Sequence, residues 1–181
     1  MVRRHSRPSP LRGTIGYRDQ WQTKFCRSRV ADNVADEENK LFSLREAEQL
    51  RVQLEPVLIE AIESRRKLGE LDGKLGKIAE RIQRSGGLLV RYEDAAKLRI
   101  ERNSIEDTLR ERLERIQSTG CIVKDLEVGL LDFPARIDGE EVYLCWKLGE
   151  DRIRFYHSQS EGFAGRKPID PRDADYDPPV Q

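Results

Sequence analysis

From Ala47 to Ile82, apolar side chains return in alternating steps of three and four residues. The series is Ala47, Leu50, Leu54, Val57, Ala61, Ser64, Leu68, Leu71, Leu75, Ile78 and Ile82, with Ser64 its one polar member. A 3.5-residue period kept up for about five heptads is the pattern of a long helix that buries one stripe in coiled-coil fashion against a partner. Ser43-Leu44-Arg45-Glu46 fits a capping box at its start, with Leu41 or Phe42 placed to staple against the first turn. Pro56 removes one helical hydrogen bond and predicts a kink. Gly69, Gly73 and Gly76 fall off the stripe, and each costs about 1 kcal/mol against alanine, so the second half of the helix is soft.

Ser85-Gly86-Gly87 ends this helix, and Leu88, Leu89 and Val90 lead into a second. Ala95, Leu98, Ile105, Leu109 and Ile116 repeat the three–four spacing, with Arg102 and Arg112 in the missing slots, and Thr119-Gly120 supplies a left-handed stop. A short glycine link between two apolar stripes makes an antiparallel helical hairpin over residues 43–119. Leu58, Ile62 and Leu113 widen the stripe. The stripe is either core or a groove for a partner, and self-association through the hairpin is the expected interaction.

From Cys121 the period becomes two, and a β-meander is expected over residues 121–158. Asp138-Gly139 favours a two-residue type I′ turn, which fixes the register by arithmetic. Ile137 then faces Glu140, Ala135 faces Val142, Phe133 faces Leu144, Asp132 faces Cys145 and Leu131 faces Trp146. One face carries Leu131, Phe133, Ala135, Val142, Leu144, Trp146 and Leu148; the other carries Asp132, Arg136, Glu141, Tyr143, Cys145 and Lys147. If the turn at Gly149-Glu150-Asp151 is equally short, Ile153, Phe155 and His157 join the apolar face, with His157 near Leu144 or Val142. The fold class is therefore α+β: a long antiparallel, coiled-coil-like hairpin packed on a small three-stranded antiparallel β-meander, within a single domain over residues 41–170.

The flanks differ. Residues 1–40 carry a basic block and then the acids Asp32, Asp36, Glu37 and Glu38, with no apolar period, which reads as a disordered arm. Met1 is the only methionine, and Val30, Val34 or Leu41 could each mark another start, making the arm a start-codon artefact. Residues 171–181 form an acidic, proline-rich tail expected to be disordered. With 33 basic and 33 acidic residues the formal charge is zero, which argues against a whole-chain nucleic-acid binder and leaves only the arm for such contacts. No apolar run approaches the ~18 residues of a membrane span. Cys26, Cys121 and Cys145 form no CxxC pair; an odd cysteine count without a signal peptide predicts free thiols and a cytoplasmic location.

For chemistry, His157 is the one histidine outside the arm. Glu161 lies four residues on, Glu150 in the preceding loop and Asp132 on the neighbouring strand, so His157, Glu150, Asp132 and Glu161 are the candidate ligands of a divalent metal such as Fe, Mn or Zn. Cys145 opposite Asp132 is a poor nucleophile, because a carboxylate raises a thiol's pKa. The loop at residues 161–168 places Gly162 and Gly165 before Arg166 and Lys167, a candidate anion or ligand site, although it lacks the spacing of a Walker loop. No organic cofactor is implied.

Phe42-Ser43-Leu44-Arg45-Glu46-Ala47, Val123-Lys124-Asp125-Leu126-Glu127, Gly129-Leu130-Leu131-Asp132-Phe133-Pro134-Ala135, Val142 through Glu150 and Gly162-Phe163-Ala164-Gly165-Arg166 together resemble the uncharacterised bacterial family catalogued as domain of unknown function 2203. The resemblance runs from about Leu41 to Asp170. It implies a small bacterial cytosolic protein and lends no activity, substrate or catalytic residue. Two functions follow from the residues: a non-enzymatic interaction or scaffold module, or a small-ligand or metal-binding protein, with catalysis open, at the sheet end and glycine loop.

Overall fold

The computed structural model describes residues 40–86 and 91–170. The arm, the link at residues 87–90 and the acidic tail lie outside the described residues. Helix α1 (Leu44–Ser85, 42 residues) starts at the expected capping box: the Glu46 N–H donates to Ser43 Oγ at 3.2 Å, and the Ser43 N–H donates to Glu46 Oε2 at 2.9 Å. The helix runs unbroken through Pro56 and stops at Gly86, whose φ of 61° closes a left-handed cap. Helix α2 (Tyr92–Gln117, 26 residues) packs along it. Its two arginines in the apolar stripe do not interrupt the packing. Arg102 reaches Asp72 at 2.6 Å and Glu106 at 2.7 Å, and Arg112 reaches Glu60, so their stems cover apolar surface while their heads pair between and along the helices.

The sheet has five strands rather than three: β1 (Ile122–Asp125), β2 (Leu130–Ile137), β3 (Glu140–Lys147), β4 (Phe155–Ser158) and β5 (Lys167–Pro168), antiparallel in that order. The two additional strands are the edges. One is four residues with a register shift between Val123 and Asp125; the other is a dipeptide ending in proline. Neither is long enough to show a period, and Pro168 is tolerated because an edge leaves its missing N–H unneeded. Pro134 inside β2 is accommodated differently. Beyond Asp132 that strand has no β1 partner, and the Phe42 N–H, on the approach to α1, donates to the Pro134 carbonyl at 2.7 Å.

Asp138 (φ 51°) and Gly139 (φ 82°) both adopt the left-handed region a type I′ turn demands, and every pair expected between β2 and β3 forms. Phe42, Leu54, Val57, Leu58 and Ile116 cover Leu131, Phe133, Ala135, Val142, Leu144 and Trp146 in the main core. Ala61, Leu68 and Leu109 form a smaller cluster between the helices. Leu58 is buried, and Ile62 and Leu113 pack against these clusters, so the widened stripe is covered within the domain.

The second turn overturns an expectation. Between β3 and β4 lie Leu148 to Arg154, not two residues, and Cys145 pairs with Phe155, Leu144 with Tyr156 and Tyr143 with His157. Directly paired residues share a face, so Phe155 and His157 stand opposite Trp146, not beside it. The longer loop has its own internal support. The Trp146 indole N–H donates to the Glu150 carbonyl at 2.9 Å, the Lys147 N–H donates to the Glu150 carboxylate at 2.9 Å, and Ile153 drops into the core with its N–H on Glu48.

Gly129 binds the loop before β2 to that core. Its φ is 69°, and a Cβ there would sit 2.7 Å from Leu148 Cβ and 3.3 Å from Ile62 Cδ1. Leu148 Cβ is fixed to backbone and cannot swing aside. Gly129→Ala is expected to cost about 2 kcal/mol from left-handed strain plus overpacking, read as a lower urea midpoint at unchanged slope. A midpoint equal to that of the unaltered protein would show that the loop relaxes freely.

Candidate functional site

Because His157 falls on the second sheet face, it meets two residues that strand pairing already places side by side. Asp132 and Cys145 are directly opposed on β2 and β3, and His157 arrives from β4. The relative exposures are 0% for Asp132, 0% for Cys145 and 1% for His157, and one ligating atom of each lies within 4.8 Å of the others. His157 Nε2 is 3.2 Å from Asp132 Oδ2, while Nδ1 is 2.8 Å from the Ser158 carbonyl oxygen. No well-formed hydrogen bond reaches Asp132 Oδ1; the Cys145 thiol is the weak donor beside the carboxylate. Lys124 Nζ lies 3.9 Å from Asp132 Oδ2 and 4.8 Å from the centre of the Tyr143 ring, whose plane tilts over His157. Tyr143 and the half-exposed Lys124 thus cap the group.

Burial dominates its electrostatics. It pushes the Asp132 carboxyl above its ordinary range, while the Cys145 thiol, His157 and Lys124 pull it back. Burial and then Asp132 push the Cys145 thiol up to about 12, so it is protonated at neutral pH and is no nucleophile, as its neighbour predicted. The geometry also rules out a Cys–His–Asp relay among these atoms. Both ring nitrogens of His157 are hydrogen-bonded to oxygens, Nδ1 to the Ser158 carbonyl and Nε2 to Asp132, and neither to the sulfur.

The other candidates lie elsewhere. Glu150 holds Arg166 in a bidentate pair at 2.9 and 2.8 Å; Arg166 also donates to the Cys145 carbonyl at 3.1 Å and lies over the rings of Phe155 and Phe163, 4.6 Å from each centre. Burial alone would raise the Glu150 pKa, but Arg166 and the Lys147 N–H and charge outweigh it and hold the carboxyl low. Glu161 accepts from Ser158 Oγ at 2.9 Å and pairs with Lys167 at 3.2 Å. The Gly165 N–H donates to the Gly162 carbonyl at 3.0 Å. Of the sequence-derived metal candidates, the fold brings Asp132 and His157 together and engages Glu150 and Glu161 with cations. Of the loop candidates, Arg166 and Lys167 are in ion pairs.

Residues 40–169 match the model of a family described as "Uncharacterized conserved protein (DUF2203)". The chain belongs to this family. Neither a curated protein nor a solved structure matches it.

The DUF2203 domain therefore presents a buried Asp–Cys–His group that sequence reading assembled only in part. The Asp138-Gly139 arithmetic put Cys145 opposite Asp132, but an assumed short turn sent His157 to the other face. The alternation of Ile153, Phe155 and His157 with Arg152, Arg154 and Tyr156 gave no sign of the longer loop: Ile153 is buried in the core, whereas Phe155 stacks with Arg166 on the other face.

Proposed function

We propose that the DUF2203 domain of this chain is a non-enzymatic interaction module that associates with a second copy of itself through the outer half of its hairpin. The observation that carries this is where apolar surface stays open. Tyr92 is 78% exposed and Ile100 71%, and neither they nor the exposed Ile82 join either apolar cluster. Tyr92 and Ile100 lie along one i, i+4, i+8 ridge, and Ile82 belongs to the same end of the hairpin. The two helices contain equal numbers of acidic and basic residues, which suits a like copy better than a polyanion. No described helix is long and apolar enough to cross a membrane. A cytoplasmic setting fits the two buried free thiols, Cys121 and Cys145.

Sedimentation equilibrium at tens of micromolar is expected to give a dimer mass. Tyr92→Glu with Ile100→Glu is expected to return a monomer that still melts cooperatively, with a Tm that no longer depends on protein concentration, since neither side chain belongs to the core of the single chain. A concentration-independent monomer mass for the unaltered chain would sink the reading. A second reading, a small-ligand or metal site, is favoured by one specific observation: the orphaned Oδ1 of the fully buried Asp132.

A further inference from the structure

The hydrogen-bond logic of His157 asks for a positive centre beside it. The Ser158 carbonyl can only accept, so Nδ1 carries a hydrogen and is the donor. Nε2 then turns toward Asp132 Oδ2 at 3.2 Å. With a neutral ring, its lone pair would face the lone pairs of a carboxylate. A proton between them resolves that contact but leaves Asp132 Oδ1 with no well-formed hydrogen bond, only the weak thiol donor of Cys145 beside the carboxylate. A divalent ion among the three side chains satisfies carboxylate, imidazole and sulfur together. Its ligands would stand about 3–4 Å apart for bonds of about 2.0–2.3 Å, so the present group need close by only about an ångström.

The donor set selects the ion. Glu150 and Glu161 are engaged elsewhere, so the oxygen-rich site the sequence offered gives way to one carboxylate, one imidazole and one thiolate. Mg²⁺ and Ca²⁺ prefer oxygen throughout, whereas this mixed set suits Zn²⁺. A histidine whose remote N–H is anchored on a backbone carbonyl is the usual support of a zinc-ligating ring. Lys124, on a flexible stem at the mouth, is the cation the metal would displace.

We propose that Asp132, Cys145 and His157 bind one Zn²⁺, cross-linking β2, β3 and β4 on the sheet face away from the helices. This rests on the metal-site reading and is independent of the hairpin. On binding, the thiol proton and the proton shared by Asp132 and His157 leave to solvent, and no bond is otherwise made or broken.

Cobalt(II), added to the full-length chain as a spectroscopic substitute for zinc, tests it. The expected result is one equivalent bound, with a thiolate-to-cobalt charge-transfer absorption that zinc bleaches. Cys145→Ser should abolish the band, while Cys121→Ser and Cys26→Ser keep it; Asp132→Asn and His157→Gln should weaken binding at least tenfold. Zinc should also raise the Tm by several degrees when in large excess over its Kd. Absence of the band in the unaltered chain overturns the proposal whatever the variants do. So does a band that survives Cys145→Ser or is lost with Cys121→Ser or Cys26→Ser. Self-association can fail while the cobalt band appears, and the reverse, so the two readings fall separately.

Discussion

Trp146→Ala is expected to unfold much of the population at ambient temperature, and Tyr143→Ala to leave it folded. Trp146 has no exposed surface, sits between Leu131 on its paired strand and the α1 side of the core, and donates its indole N–H to the Glu150 carbonyl at 2.9 Å. Arg51, itself paired with Glu48 and Glu55, has its guanidinium 5.4 Å from the ring centre. Removing a buried tryptophan costs about 3–5 kcal/mol, against total stabilities of about 5–15 kcal/mol for domains of this size. The indole hydrogen bond adds to that loss because the Glu150 carbonyl helps shape the loop into β4. Tyr143, on the other face, is half-buried and touches His157 and Lys124 at the rim. Its truncation opens that rim without emptying the core. Thermal and urea melts of the two variants decide this; equal losses, or a greater loss for Tyr143→Ala, would mean the second face carries as much of the fold as the first.

What the sequence made legible follows from how local each determinant is. The capping box, the inner part of the heptad stripe and the Asp138-Gly139 turn are each settled by a few adjacent residues and appear as read: Ser43 caps α1, Ala47 to Leu71 mark its buried side, and β2 pairs with β3 in the expected register; the stripe's outer end departs from the reading, since its last member, Ile82, is exposed. Five strands in place of three reflect edge elements too short for a period, held by the Ile122–Asp132 and Val123–Leu131 pairs on one side and by the Phe155–Pro168 and Tyr156–Lys167 pairs on the other. The misplaced His157 has a longer-range cause. The loop before β4 is shaped by Glu48, over a hundred positions upstream, and by Arg166, sixteen positions beyond Glu150. No spacing rule contains those partners. The Asp–Cys–His group was thus two-thirds legible: the part that depends on a turn could be read, and the part that depends on a tertiary clamp could not.

Arg166→Ala is the second large effect expected, at about 3 kcal/mol, because it breaks that clamp at several points. Glu150 would keep a partly buried carboxylate with only the N–H and charge of Lys147 to answer it, the Cys145 carbonyl would lose a donor, and Phe155 and Phe163 would lose the cation stacked on both. Removing one member of a buried pair costs about 3–5 kcal/mol; the figure here is set at the low end because Glu150 retains some solvent access. Arg166→Lys should recover only part of the loss, since a single ammonium cannot form the bidentate pair. Glu150→Gln should cost less than Arg166→Ala, and the double substitution less than the two summed, since each removes the same contact. The pH dependence carries the opposite check. Glu150 is held below its unfolded pKa, so its contribution is complete above the ordinary glutamate value of about 4.3 and is lost as pH falls through the lower folded value. Glu150→Gln should therefore flatten the acid limb of the stability curve relative to the unaltered chain while shifting the neutral plateau down. If Arg166→Ala melts like the unaltered protein and the acid limb keeps its slope in Glu150→Gln, Arg166 does not organise the turn into β4, and its guanidinium is free for the anion that the Gly162–Lys167 loop first suggested.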